Sequence, residues 1–332
     1  MNSTVRLIVV ATGLLAMMVA VYLWRPHGES LHKTSQPTPR SAPVDGHETA
    51  AATPSSGAGV KRMGDDTQKS TDYPALLKAS HDHWAFAERI LPAARAGDAN
   101  AQLYLWKALD ECAQDNHRLF ERRGQVLTLE QSLQQPSNRV VPPDLIRRQY
   151  AQCHKFLTND TSEFGNTAGW LAAATDSRQP VAQAITASQS LMQQSADELA
   201  LAAGVPNPSD QPPVVSAMGP RELLLEAVQS RDPEVLFWIG DMQQLLDPAS
   251  SDTSINRYAW MLLACQGGFD CTNSAQWVEL NCGSEATCSS LTGPTDYIQH
   301  LSGANWPAVQ QRAQDISAKL NAGQWDALGL GT

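Results

Sequence analysis

The sequence predicts an all-α fold: a helical-repeat-like bundle of helix-turn-helix hairpins behind an N-terminal transmembrane helix and a disordered tether. Three observations predict it. Beyond Asp72, apolar residues recur at helical spacing. Strand signals are scarce there, with no sustained alternation and no Asn-Gly or Asp-Gly turn. Cap and stop residues fall where the helical stripes begin and end.

The chain reads in three parts: an anchor over 1–24, a linker over 25–71 and a helical domain over 72–332. Residues 7–24 read LIVVATGLLAMMVAVYLW and carry no charge. Eighteen residues at helical rise span about 27 Å, close to the hydrocarbon thickness of a bilayer. Tyr22 and Trp24 sit where an aromatic belt lies, and Arg25 stops the span. A cleaved signal peptide is the rival, but it ends in small residues, whereas this run ends in Val21-Tyr22-Leu23-Trp24. The expectation is a single-pass inner-membrane anchor with the helical domain in the periplasm. Arg6 favours that orientation, Arg25 and Lys33 oppose it, and the cysteines decide it.

Residues 25–71 hold Pro26, Pro37, Pro39, Pro43 and Pro54 among Ser, Thr, Gly and Ala. Without apolar periodicity they cannot bury enough surface to offset their ordering entropy. Such a tether reaches about 40 Å.

Three stripes define helices in the domain. Ala101, Leu105, Ala108, Leu109 and Cys112 share one face of 98–114. Ile146, Tyr150, Cys153 and Leu157 share one of 143–157, and Val309, Ala313, Ile316 and Leu320 one of 306–321. Asp72, Asp98 and Asp232 are N-cap candidates, the last with Pro233 at the first helical position, and Gly323 is a stop. Pro136, Pro142 and Pro143 bracket one loop; Pro206, Pro208, Pro212 and Pro213 bracket another.

One short frame recurs. Counting Ala93 as zero, Gly97, Asp98, Ala101 and Gln102 stand at +4, +5, +8 and +9. Counting from Ala174, Gln179, Pro180, Ala182 and Gln183 stand at +5, +6, +8 and +9, with Trp170 at −4. Ala227 has Asp232 and Pro233 at +5 and +6, and Ala264 has Trp260 at −4 and Gly268 at +4. A helix ending at +4 and a capped helix starting at +5, with alanines between the two, fit a tight hairpin. This frame resembles the Sel-one-like repeat, a relative of the tetratricopeptide repeat. The resemblance implies stacked helical hairpins acting as a protein-binding scaffold. Spacings of 81, 53 and 37 separate the zeros, and Arg178 and Arg231 stand in place of the turn glycine. The whole pattern, ending in Asp326-Ala327-Leu328-Gly329-Leu330, also looks like uncharacterised proteobacterial envelope proteins.

Six cysteines, Cys112, Cys153, Cys265, Cys271, Cys282 and Cys288, all lie beyond the export signal, which suggests disulfides. Cys112 and Cys153 each end a helical stripe, and one intervening helix over about 117–135 would point those ends the same way, which favours Cys112–Cys153. Among the other four, adjacent pairing (265–271, 282–288) is slightly preferred to a crossed one. Zinc is the rival, though the spacing is not that of a usual Cys-x-x-Cys site.

No residue is singled out as catalytic, cofactor-binding or metal-ligating. His81-Asp82-His83 reads as two surface histidines, since residues two apart on a helix diverge. Cys153-His154 fails as a catalytic pair for the same reason. There is no phosphate-binding glycine loop, no His-Glu-x-x-His and no Gly-x-Ser-x-Gly. Trp84, Trp106, Trp170, Trp238, Trp260 and Trp277 fall in apolar stretches as core residues. Beyond Asp72 the charge is −11, from 17 Lys plus Arg against 28 Asp plus Glu, which repels phosphate backbones and argues against nucleic acid as a partner. The expected role is a periplasmic protein-interaction module, more a binder than an enzyme, with an envelope protein as partner. An envelope enzyme acting on peptidoglycan or peptides is the alternative.

Overall fold

A computed structural model describes residues 71–138, 141–203, 218–247, 251–272, 278 and 290–331. The expected anchor, and all of the expected tether but Thr71, lie outside the described residues, as do Cys282, Cys288, Trp277 and the proline-rich loop after residue 203. No helix among the described residues is long and apolar enough to cross a membrane.

The described chain is mostly helical. Its first helices are α1 (Tyr73–Lys78), α2 (His83–Arg95) and α3 (Ala99–Asp115). Each begins on an aspartate. Asp72 accepts from the Ala75 amide, Asp82 from those of Trp84 and Ala85, and Asp98 from those of Asn100 and Ala101. These bonds satisfy amides that a helix start leaves unpaired.

From Asn116 the chain leaves this pattern. A π-helical turn (Asn116–Phe120) leads into a hairpin of β1 (Glu121–Arg122) and β2 (Gln125–Val126), paired antiparallel with Glu121 opposite Val126. Short α4 (Leu129–Leu133), then α5 (Pro143–Cys153) and α6 (Lys155–Thr158) follow. Two expectations are corrected here. No single helix fills 117–135, and a strand pair exists. Its turn, Arg123-Gly124, has φ of 52° and 76°, the double positive φ of a type I′ hairpin. An arginine in the first left-handed position hid that signal.

Helical hairpins then resume: α7 (Thr167–Asp176), α8 (Pro180–Ala203), α9 (Pro220–Gln229), α10 (Pro233–Asp241), α11 (Gln243–Leu246), α12 (Thr253–Gln266), α13 (Asp296–Ser302) and α14 (Trp306–Asn321). Packing is largely serial. α2 lies on α3, α3 on α7, α7 on α8, α8 on α9 and α10, α10 on α12, and α12 on α14.

Small residues make this stacking close. Eight consecutive residues of α8, Val181 to Ser188, are all buried, so helices surround that half of α8 on every side. Five of the eight are Ala or Ser or Thr, counting Ala182, Ala184, Thr186, Ala187 and Ser188. At the α10–α12 crossing, a Cβ on Gly240 would come 2.9 Å from the Arg257 carbonyl oxygen, so only glycine fits without movement.

The junctions share one geometry. Gly97, Arg178, Arg231 and Gly268 have φ of 89°, 58°, 56° and 107°. At three of them the next amide reaches back to the alanine five residues earlier: Asp98 to Ala93 at 3.1 Å, Gln179 to Ala174 at 3.0 Å and Phe269 to Ala264 at 3.0 Å. This is the Schellman closure, which satisfies a carbonyl at the helix end. At Asp98, Gln179 and Asp232 the +5 side chain then caps the following helix, Gln179 accepting from Ala182 at 2.6 Å and Asp232 from Glu234 at 2.8 Å.

One apolar core runs through the serial helices, with Trp84, Trp106 and Trp260 buried in it and Trp170 and Trp238 half-buried against it. Leu119, Phe120 and Ile146 form a separate small core under the hairpin.

Candidate functional site

The densest grouping of chemically capable side chains sits where three helix ends meet. Cys112 is near the C-terminal end of α3, Cys153 is the last residue of α5 and His83 is the first of α2. The two cysteines form a disulfide with S–S 2.07 Å and Cα–Cα 5.0 Å. The His83 Nδ1 lies 3.5 Å from the Cys112 Sγ and 4.0 Å from that of Cys153. All three residues are buried, His83 being 2% exposed.

Why the helix ends converge is visible locally. Lys155, just past Cys153, pairs with the Asp82 carboxylate, which also caps α2. Gln152 donates to the Ser80 carbonyl at 3.3 Å. Trp84 packs on Phe156 and, edge to face, on Phe164, with centroids 5.1 and 4.9 Å apart. The start of α2 is thereby held against α5 and α6 from two sides.

Electrostatics follow from this placement. Burial drives the His83 imidazole down to about 4, against the opposing charge of Asp82. The positive end of α2 acts in the same direction, since His83 is its first residue. His83 is thus a neutral imidazole at pH 7. Burial also raises the Asp82 carboxyl, but bonds from Lys155 and the Ala85 and Trp84 amides, with the Lys155 charge, outweigh it and the net direction is down. Asp115, one turn past Cys112, is pushed up to about 6 by burial, with Arg118 opposing.

Polar groups around the disulfide are incompletely used. The Asn116 Nδ2 donates to the Cys153 carbonyl at 3.3 Å, while its Oδ1 has no hydrogen-bond partner. Gln149, one turn before Cys153 and 1% exposed, has no partner for either amide atom. Buried amides left unpaired cost free energy unless something else occupies them.

The expectation that His83 lies on the surface is overturned. His81 is exposed, but His83 shares the buried face of α2 with Ala87, Ile90 and Ala94. That stripe, at +4, +7 and +11, is the signal that would have found it. Cys265 pairs with Cys271, S–S 1.98 Å and Cα–Cα 5.6 Å, at the turn after α12. His154 is not part of the cluster: its ring contacts the Tyr150 carbonyl at 2.8 Å and stacks on the Tyr150 ring.

Two other features bring together less chemistry. Asp110 and Asp115 both have carboxyls raised to about 6 by burial. Five residues apart on one helix, they point about 140° away from each other and cannot work as a pair. A concavity of about 390 Å³ under the hairpin is lined by Arg118, Glu121, Arg122 and Gln135, but Arg122 is engaged by Gln135 at 2.7 Å and Arg118 leans on Asp115 at 3.5 Å.

Comparison of the chain with known protein families, curated proteins and solved structures returns no match to any of them.

Proposed function

We propose that this chain is a membrane-tethered periplasmic protein-interaction module whose partner is another envelope protein. The observation that carries this reading is the common backbone geometry at Gly97, Arg178 and Arg231, each ending one helix and turning into the next, with Gly268 closing α12 at the same left-handed φ. Helices joined this way stack serially and expose long continuous faces, the surfaces that helical-repeat scaffolds use for binding. The Sel-one-like frame in the sequence points the same way. Two disulfides suit an oxidising compartment. The apolar run at 7–24 and the polar stretch after it would keep the domain within about 40 Å of the bilayer.

In vivo crosslinking of the intact protein, read by mass spectrometry, tests it. The expected result is a crosslink between the domain and one envelope protein. A reporter active only outside the cytoplasm, fused after Thr332, is expected to be active, with the chain retained in the inner membrane. A soluble full-size product, or a domain that crosslinks to nothing, would overturn the proposal.

A further inference from the structure

The grouping of His83, Cys112 and Cys153 has the donor set of a metal centre. Its three ligand atoms lie within 4.8 Å of one another. As a disulfide, the sulfurs at 2.07 Å cannot hold a cation. Two thiolates on one tetrahedral zinc stand about 3.7 Å apart, and each stands about 3.6 Å from an imidazole nitrogen on the same ion. The His83 Nδ1 is already 3.5 and 4.0 Å from the two sulfurs. Once the link is opened, the sulfur–sulfur separation is the distance that has to change most.

We propose that the dithiol form of this protein holds one thiophilic divalent cation of the Zn²⁺ class on the Nδ1 of His83 and the Sγ atoms of Cys112 and Cys153. Charge selects the class. Two thiolates, a neutral imidazole and a divalent ion sum to zero, whereas a monovalent ion leaves a net negative charge in a buried site. The ring already turns its Nδ1 to both sulfurs, at 3.5 and 4.0 Å, and offers a lone pair there when Nε2 carries the proton. Asn116, whose Nδ2 donates to the Cys153 carbonyl, leaves a buried and unpartnered Oδ1 on the same side chain. The balance is simple. A dithiol donor reduces the disulfide, giving two electrons and two protons and becoming a disulfide itself. The cation then displaces both thiol protons. A disulfide oxidant reverses the sequence: it takes two electrons from the two thiolates and two protons from water, becomes a dithiol, and the ion is released as the Cys112–Cys153 bond forms, so one cluster closes the α3–α5 contact with a covalent bond or a metal bridge.

The test uses the full chain in detergent, reduced without oxygen and titrated with Co²⁺ as an optical probe. The double variant Cys112→Ser, Cys153→Ser reports the background from the other four thiols. The reduced wild type is expected to bind one Co²⁺ more than that variant, with a thiolate charge-transfer band that Zn²⁺ abolishes. The oxidised protein is expected to lack the band. His83→Ala should weaken this site by at least roughly tenfold, and His81→Ala should leave it unchanged. Equal stoichiometry in wild type and double variant overturns the proposal. So does full affinity in His83→Ala, or a reduced chain that loses its helical circular dichroism and does not regain it with Zn²⁺.

Discussion

The stacked helices and the excursion between α3 and α7 solve the same problem by different means. The stack buries small residues at close helix crossings and joins its hairpins by left-handed turns. Residues 116–164 instead form a π turn, a hairpin and short helices over a core centred on Leu119, Phe120 and Ile146. Their charge differs too. The excursion carries 7 Lys plus Arg against 5 Asp plus Glu, inside a domain whose balance beyond Asp72 is −11. Its own core has only three fully buried side chains, and its other main apolar anchorage is Phe156 and Phe164 against Trp84, which is little for so many residues to order. The excursion therefore depends on a covalent staple, and its last α5 residue is tied to the end of α3 by Cys112–Cys153. Among the described residues, the disulfide at the end of α12 spans a separation of only 6.

The largest expected effect follows from that contrast. Cys112–Cys153 has a sequence separation of 41, and on the chain-entropy estimate its removal costs about 4 kcal/mol; for Cys265–Cys271, with a separation of 6, the estimate is about 2 kcal/mol. Cys112→Ser with Cys153→Ser should make trypsin cut fastest in the excursion, at Arg122 or Arg123 near the hairpin tip, before the stack is attacked. Uniform cleavage across the domain would show that the two regions unfold as one.

Next in size is a pH effect at the junction of the two regions. The imidazole of His83 is at about 4 in the folded chain against 6.5 unfolded, so its contribution is present above pH 6.5 and is lost as pH falls toward 4. Asp115 runs the other way. Its folded value of about 6 exceeds 3.8, so its contribution is present below 3.8 and is lost as pH rises through 6. Each is worth about 3 kcal/mol across its window, and in the wild type the two oppose each other between about pH 4 and 6. Asp115→Asn removes one of them. Relative to wild type, its urea midpoint should rise as pH goes from 4 to 7; a constant difference would show that the Asp115 carboxyl is not held protonated by burial.

The two regions also differed in how legible they were. The stripes at 98–114 and 306–321 became α3 and α14 with every named residue buried, because a 3.6-residue period records burial directly. Asp72, Asp98 and Asp232 cap helices as read, because a cap is a local bond. In the excursion local rules gave less. The stripe at 143–157 breaks at His154, leaving Tyr150 and Leu157 half-buried against the small core. The Cys112–Cys153 pairing was read correctly from a wrong premise, since no helix spans 117–135. His83 was misplaced because its burial depends on α5 and α6, some 70 residues away, and on a stripe that was not extended to the cap.

A middle-sized effect probes the stack. Ala101 is fully buried at the first turn of α3, so Ala101→Leu should overpack the contact and cost about 1–3 kcal/mol. Asp98→Ala loses the cap and the bond from the Tyr73 hydroxyl at 2.9 Å, about 1–2 kcal/mol together. Exposed Asn100 accepts only a 3.3 Å bond from Gln179, so Asn100→Ala should change stability by under about 0.5 kcal/mol. Unfolding midpoints with disulfides intact rank the three. Asn100→Ala proving as damaging as Ala101→Leu would mean the register of the α2–α3 hairpin is misread.

The smallest effect distinguishes the junctions from one another. Gly97 holds φ of 89° with open space where a Cβ would stand, so Gly97→Ala pays only in backbone strain, about 1 kcal/mol. Arg178 and Arg231 already carry that strain, at φ of 58° and 56°. Arg178→Gly relieves about 1–2 kcal/mol of it and gives back about 0.4–1 kcal/mol through the freer unfolded chain. It also loses an exposed contact to Glu226 at 3.4 Å, worth a few tenths at most by the rule for solvent-exposed pairs. A net gain of about 0.5 kcal/mol should remain. Arg231→Gly should gain less, because the Arg231 guanidinium donates to the Asn321 side chain at 2.8 Å and so ties the α9–α10 junction to the end of α14. Thermal midpoints should therefore rank Arg178→Gly above Arg231→Gly and both above Gly97→Ala. If Arg178→Gly were destabilising, its left-handed turn would be held by the arginine side chain, and the four junctions would share a shape without sharing its cause.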